Sequence, residues 1–83
     1  MPKFLDHHPT QANMPQEVVE QIKTKLQSKQ ADQFGVVGLN VMVGKEQTWC
    51  YAEAPNAEAV HKAHEAMGMK LGPGDVSEVQ SLA

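Results

Sequence analysis

The sequence predicts an α+β fold in which two helices alternate with four strands. Two segments, 15–29 and 57–67, repeat apolar residues at the three- to four-residue spacing of an amphipathic helix. Between them, a run rich in β-branched residues and bounded by glycines is joined by a short turn to a second strand-like run. Shorter strand-like runs stand before the first helix and after the second, so the predicted order is β-α-β-β-α-β.

The first half of the chain predicts a strand, a loop and a helix. Residues 3–8 form a short strand that reaches two histidines, and the polar residues 8–13 form a loop. Pro15 suits the first helical position, where a backbone N–H would have no partner within the helix. The helix ends near Lys29, and its apolar positions are Val18, Val19, Ile22 and Leu26.

The second half predicts a hairpin, a helix and a last strand. Residues 35–44 and 48–53 are the hairpin strands. The second helix begins after Asn56, a favoured cap, and stops before Gly68, a residue typical of helix C-termini. Residues 75–82 form the last strand, and their imperfect alternation suits the edge of a sheet.

This element order closes most readily as a ferredoxin-like sandwich, in which two helices cover one face of a four-stranded antiparallel sheet. The 83 residues allow one domain, 1–83, with a thin core. The other sheet face has no cover within the chain. Trp49 and Tyr51 share the parity of that open face, so we expect a homodimer that pairs through it. The alternative is that both rings are only partly exposed and hold their own strand in place.

The charge balance excludes several classes of partner. The chain has ten acidic and seven basic residues, all of the latter lysine, for a net charge of −3. Without arginine or a basic surface, we expect no nucleic-acid or phosphate partner. No stretch approaches the roughly 20 apolar residues of a membrane span, and the N-terminus lacks a signal-peptide core. We therefore expect a cytoplasmic protein, and its single cysteine fits that reducing compartment.

Two tight pairs contain all four histidines of the chain, which are His7, His8, His61 and His64. We expect the first and third strands to be parallel neighbours at the centre of the sheet. Asp6 and the first histidine pair would then lie near Glu53 at one edge, where the second helix also begins. Imidazole and carboxylate form a ligand set that suits nickel, zinc, copper or iron.

Spacing distinguishes the members of each pair. Asp6 and His8 are two apart on a strand and point to the same side, whereas His7 points to the other, so we favour His8 as a ligand. His61 and His64 are three apart on a helix and share a surface. Two alternatives stay open, namely that His61 is only a solvated surface residue and that His64 packs against the sheet.

Cys50 and Glu53 are further candidates for chemistry on the third strand. Cys50 stands between two aromatic residues in mid-strand, which is typical of a buried small hydrophobe. A nucleophilic role would need His8 or His64 to stabilise its thiolate, and its place within a strand argues against attack geometry. Glu53 is a general base, a metal ligand or only the polar end of its strand.

The chain also resembles a known family over most of its length. Residues 49–60 follow the pattern aromatic-Cys-x-x-Glu-Ala-Pro, then a polar cap and Ala-Val, and are followed by His64 and Gly68. This pattern is similar to that of small bacterial ferredoxin-like domains associated with nickel binding. The opening residues 1–8, with Asp-x-His, and the closing residues 76–79 resemble the first and last strands of that family.

The resemblance implies a homodimer that binds a transition metal, with nickel as the leading ion. Carried over by position, the candidate ligands are Asp6, His8 and His64, with Glu53 nearby. Family members often have a second histidine four residues after the first on this helix, where the present chain has Gly68. His61, one turn before His64, would substitute for it.

Two functional hypotheses follow. The first is a small dimeric protein that binds or buffers a metal ion rather than catalysing a reaction, with ligands from Asp6, His8, Glu53, His61 and His64. The second is a cofactor-free enzyme or small-ligand-binding dimeric α/β-barrel protein that uses the open sheet face. There His8, Glu53 or His64 would act as acid or base, and an enclosed pocket would lie beside Trp49 and Tyr51.

Overall fold

A computed structural model describes residues 1–10 and 14–82. It contains the predicted elements in the predicted order and confirms an α+β fold of the ferredoxin-like type. Their bounds are β1 Lys3–Pro9, α1 Gln16–Ser28, β2 Val37–Val43, β3 Gln47–Glu53, α2 Ala57–Ala66 and β4 Val76–Val79. Part of the predicted loop 8–13 lies outside the described residues. Within those residues, no helix has the length and apolar character needed to cross a bilayer.

The four strands form one antiparallel sheet in the order β2-β3-β1-β4. The expected parallel pairing of the first and third strands is wrong, because β1 and β3 run in opposite directions. The crossover through α1 makes β1 parallel to β2, and the tight hairpin then reverses the chain into β3, which lies between them. Lys3 pairs with Glu53, and His8 pairs with Thr48. Glu53 therefore lies at the far end of β1 from the histidines.

The strand β4 is shorter than the predicted strand 75–82. Its register pairs Val76 with Asp6 and Val79 with Lys3. Since β1 begins at Lys3, no residue of β1 is left to pair beyond Val79. The chain accordingly leaves the sheet after four residues.

Local signals define the ends of α2 as the sequence predicts. The side chain of Asn56 accepts a hydrogen bond from the backbone N–H of Ala59 at 2.9 Å, which caps the helix. At the other end, Gly68 has a φ of +83°, a region that glycine enters without strain. The N–H of Met69 then donates to the carbonyl of His64 at 2.9 Å and closes the last turn.

Both helices cover the same face of the sheet. A Cβ atom added at Gly38 would lie 3.0 Å from a side chain of α1, and Gly38 pairs with Ala52. His64 of α2 contacts Asp6, which pairs with Cys50. Ala52 and Cys50 are two residues apart on β3 and so point to the same side.

The core lies between α2 and this face of the sheet. Val60 and Ala54 are fully buried, and Phe4 and Leu71 are nearly so. By contrast, α1 has no buried residue, and its apolar stripe is only partly covered. The close packing that holds side chains in fixed positions is therefore found under α2.

The opposite face of the sheet carries exposed apolar side chains. Trp49 pairs with His7 on β1 and with Met42 on β2, so the three share this face. Trp49 is 38% exposed and Met42 is 44% exposed. Tyr51 lies on the same side and is partly buried. Both described helices lie on the other side of the sheet and leave this face open.

Candidate metal centre

Three elements of the fold bring four potential metal ligands together. The donor atoms lie within 4.8 Å of one another and belong to Asp6, His8, Cys50 and His64. Two come from β1, one from β3 and one from α2. The four residues, called the cluster below, combine nitrogen, sulfur and carboxylate oxygen donors, which is a set that transition metals bind.

The register of the sheet positions three of the four cluster residues. Asp6 and Cys50 are directly opposite partners on β1 and β3. His8 follows Asp6 by two residues, so all three side chains point towards the helices. The prediction that His7 faces the opposite way is confirmed, because His7 pairs with Trp49 of the open face and does not belong to the cluster. Its Nε2 atom lies 3.7 Å from Oδ1 of Asp75.

The length of α2 brings His64 to the cluster. The helix begins just after β3 ends, beside the Lys3 end of β1, and runs back along that strand. From Ala57 to His64 a helix advances about 10 Å, and from Lys3 to Asp6 a strand advances about the same distance. His64 therefore arrives beside Asp6, although the strand direction assumed from the sequence is wrong.

Asp6 and His64 form a buried pair at the centre of the cluster. Asp6 is 1% exposed and His64 is 6% exposed. The Nε2 atom of His64 lies 3.2 Å from Oδ1 of Asp6, yet Oδ1 has no hydrogen-bond partner within residues 1–10 and 14–82. Oδ1 is compensated by the charge of His64 at ion-pair distance, and a bound cation would take over that role.

Both imidazoles of the cluster are oriented by backbone carbonyls. The Nδ1 atom of His64 lies 2.9 Å from the carbonyl oxygen of Val60, and that of His8 lies 3.0 Å from the carbonyl oxygen of Pro9. Because a carbonyl can only accept, Nδ1 donates in each ring. The Nε2 atoms are therefore the ones available to a metal, and outer contacts of this kind fix the orientation of metal-binding histidines. Nε2 of His8 lies 3.8 Å from Sγ of Cys50.

The surroundings of His64 favour its protonated form. Burial lowers the pKa of His64, but contacts with Asp6, Cys50 and the Val60 carbonyl, together with the charge of Asp6, raise it from 6.5 to about 10. The metal-free protein therefore holds an imidazolium at neutral pH. A metal ion that binds to Nε2 must displace that proton.

Two of the five ligands predicted from the sequence lie elsewhere. Glu53 pairs with Lys3, which places it about 16 Å along β1 from His8. Its expected place beside the N-terminal histidines is wrong, because that expectation depended on parallel strands. His61 is partly exposed on the flank of α2 and does not belong to the cluster.

Cys50 is the cluster residue that sequence reasoning missed. The sequence predicts a buried small hydrophobe there, whereas the structure leaves Cys50 partly exposed with Sγ among the donor atoms. The signal that could have identified Cys50 is the direction of β3 relative to β1. An antiparallel pairing of β1 with β3 puts Cys50 opposite Asp6, on the face that its parity with Ala52 already indicated.

The enzyme hypothesis predicts an enclosed pocket beside Trp49 and Tyr51. A depression next to Trp49 is a surface hollow lined by Pro9 and the hairpin residues 44–47. None of the three residues suggested as acid or base lines this hollow. It therefore gives that hypothesis no support.

Comparison with known proteins places the chain in a family. Residues 4–79 match the family model described as Nickel responsive protein SCO4226-like, and this span contains the whole cluster. No curated protein and no solved structure matches the chain significantly. Since the match covers nearly the whole chain, the protein belongs to the SCO4226-like family of nickel responsive proteins.

Proposed function

We propose that this protein is a cytoplasmic homodimer that binds a divalent transition-metal ion, foremost nickel, and retains it rather than catalysing a reaction. The observation that carries the proposal is the cluster of Asp6, His8, Cys50 and His64, whose donor atoms lie within 4.8 Å of one another. The description of the family as nickel responsive supports nickel as the ion.

The charges of the cluster and its partial burial both suit a divalent ion. The Asp6 carboxylate and the Cys50 thiolate supply two negative charges, and imidazole nitrogen is a good ligand for nickel. Asp6 and His64 are buried, so the ion would be shielded on the side of α2. His8 and Cys50 are only partly buried and leave a route from solvent.

The open sheet face supports the dimer. Trp49 and Met42 expose apolar surface there, and pairing two copies of the same face buries both. The cluster lies on the other side of the sheet, under α2. Each subunit of such a dimer holds a complete ligand set of its own.

Calorimetric titration of chelator-stripped protein with nickel tests the proposal. We expect one ion per subunit and a melting temperature that rises with nickel concentration, because the ion binds only the folded chain. Asp6→Asn and His64→Gln should abolish the heat of binding. His61→Gln is the matched control, since it alters a histidine on the same helix outside the cluster.

Two outcomes would overturn the proposal. The first is the absence of heat at micromolar nickel together with an unchanged melting temperature. The second is a loss of binding in His61→Gln as large as that in His64→Gln, which would show that the cluster is not the site.

A further inference from the structure

Distances within the cluster show whether its donor atoms can share one ion. Metal bonds of about 2.0–2.3 Å put two donor atoms about 3 Å apart at a right angle and about 3.6–3.8 Å apart at 120°. Sγ of Cys50 and Nε2 of His8 are 3.8 Å apart, and Nε2 of His64 and Oδ1 of Asp6 are 3.2 Å apart, so each pair can bind one ion. The full set of donors is two imidazoles, one thiol and one carboxylate, all within 4.8 Å of one another.

Such a donor set has a known preference among metals. Two histidines and one cysteine are the principal ligands of cysteine-containing copper sites. Square-planar nitrogen and oxygen sites suit copper(II) and nickel(II) alike, so the sulfur of Cys50 is the ligand that favours copper here. For a given site, copper(II) also binds more tightly than nickel(II) in the Irving–Williams order.

We propose that the cluster accepts copper(II) in preference to nickel(II), with a direct bond between the ion and Sγ of Cys50. The proposal rests on the proposed function, since it assigns a further ion to the same site. On binding, bonds form from copper to the sulfur and to the imidazole nitrogens, the thiol proton and the Nε2 proton of His64 leave to solvent, and copper keeps its oxidation state.

The metal-free structure is organised for this ligand set. Hydrogen bonds to the carbonyls of Pro9 and Val60 already direct both Nε2 atoms into the cluster. Cys50 is the one cysteine of the chain, so no disulfide within the subunit competes for its sulfur. Its partial exposure lets a solvated ion reach the thiol.

A copper titration of the nickel-loaded protein, with oxygen excluded, tests the proposal. We expect one equivalent of copper per subunit to displace the nickel, measured by elemental analysis of the protein and the filtrate. A thiolate-to-copper charge-transfer band should appear in the visible spectrum. Cys50→Ser should lose the band and retain its far-ultraviolet circular dichroism. His7→Gln, a histidine variant on the opposite face of the sheet, should keep the band.

Other results would contradict the copper–sulfur bond, the preference for copper or the proposed function. A band that persists in Cys50→Ser, or copper bound to the wild-type protein without a band, would contradict the copper–sulfur bond. Cys50→Ala provides the same comparison if the serine variant unfolds. If nickel binds and copper fails to displace it, the copper preference is wrong and nickel binding stands. If neither ion binds, the proposed function fails as well.

Discussion

At the residue scale, the buried contact between Asp6 and His64 has the largest energetic consequences. Each side chain is almost completely buried, and each carries a charge that the interior would otherwise disfavour. Removing one member of a buried ion pair leaves the other uncompensated, which destabilises a protein by roughly 3–5 kcal/mol. Breaking the pair is therefore costly in the metal-free protein, and the same two side chains belong to the proposed metal site.

Asp6→Asn should lower the free energy of unfolding of the metal-free protein by about 3 kcal/mol, because His64 loses its counter-charge. Urea unfolding monitored by Trp49 fluorescence measures the change. Asp75→Asn is the control, since Asp75 faces His7 at a partly exposed site and its loss should change stability by about 0.5 kcal/mol or less. Equal losses in the two variants would contradict the buried-pair account.

The stability of the metal-free protein should fall as the pH rises from about 6.5 to 10. The pKa of His64 is about 10 in the folded chain against 6.5 without the fold, so the folded state binds the proton more tightly. Its contribution to stability is complete below pH 6.5 and is lost as the pH passes through 10. Urea unfolding with a chelator, at several pH values, measures this decline.

His64→Gln is the control for the pH series, because it lacks the titrating ring. Relative to that variant, the wild-type protein should become less stable through the window from pH 6.5 to 10. A difference between the wild-type protein and the variant that stays constant through that window would show that His64 is neutral in the folded state.

At the element scale, α2 acts as the spacer that carries His64 to β1. Its N-cap and its glycine stop are local signals, and both could be predicted from the sequence because neighbouring residues alone determine them. The direction of β1 relative to β3 and the length of β4 depend on crossover and register, which neighbouring residues do not determine. That difference explains why Asp6, His8 and His64 were predicted correctly as neighbours while Glu53 was misplaced and Cys50 was missed.

Asn56→Ala should destabilise the protein by about 1 kcal/mol, since the backbone N–H of Ala59 loses its acceptor. Because α2 also positions His64, nickel affinity should fall by a smaller amount than in His64→Gln. Thermal melting and nickel titration measure the two effects. Asn56→Asp keeps the cap and should retain both properties; an equal loss in that variant would contradict the role of the cap.

At the scale of the whole molecule, the two sides of the sheet have separate roles. Residues of β1 and β3 alternate between the cluster, under α2, and the open face with its exposed apolar side chains. The sequence predicted this division from strand parity. Strand parity does not predict that all four residues of the cluster come from one subunit, because the position of His64 depends on how far α2 reaches along β1.

Trp49→Lys should convert the protein to a monomer, since it places a charge on the proposed interface between two sheet faces. Sedimentation velocity measures the mass, and nickel binding per subunit should be unchanged. Val18→Lys is the matched control, because Val18 is equally exposed but lies on α1. If the wild-type protein is monomeric, or if both variants dissociate it alike, the sheet face is not the interface.

Anomalous diffraction from crystals of the nickel-loaded protein shows whether a nickel ion binds at the cluster. We expect one nickel peak per subunit, within bonding distance of Asp6, His8, Cys50 and His64. A peak on His7 or His61, with none at the cluster, would mean that the cluster is not the metal site.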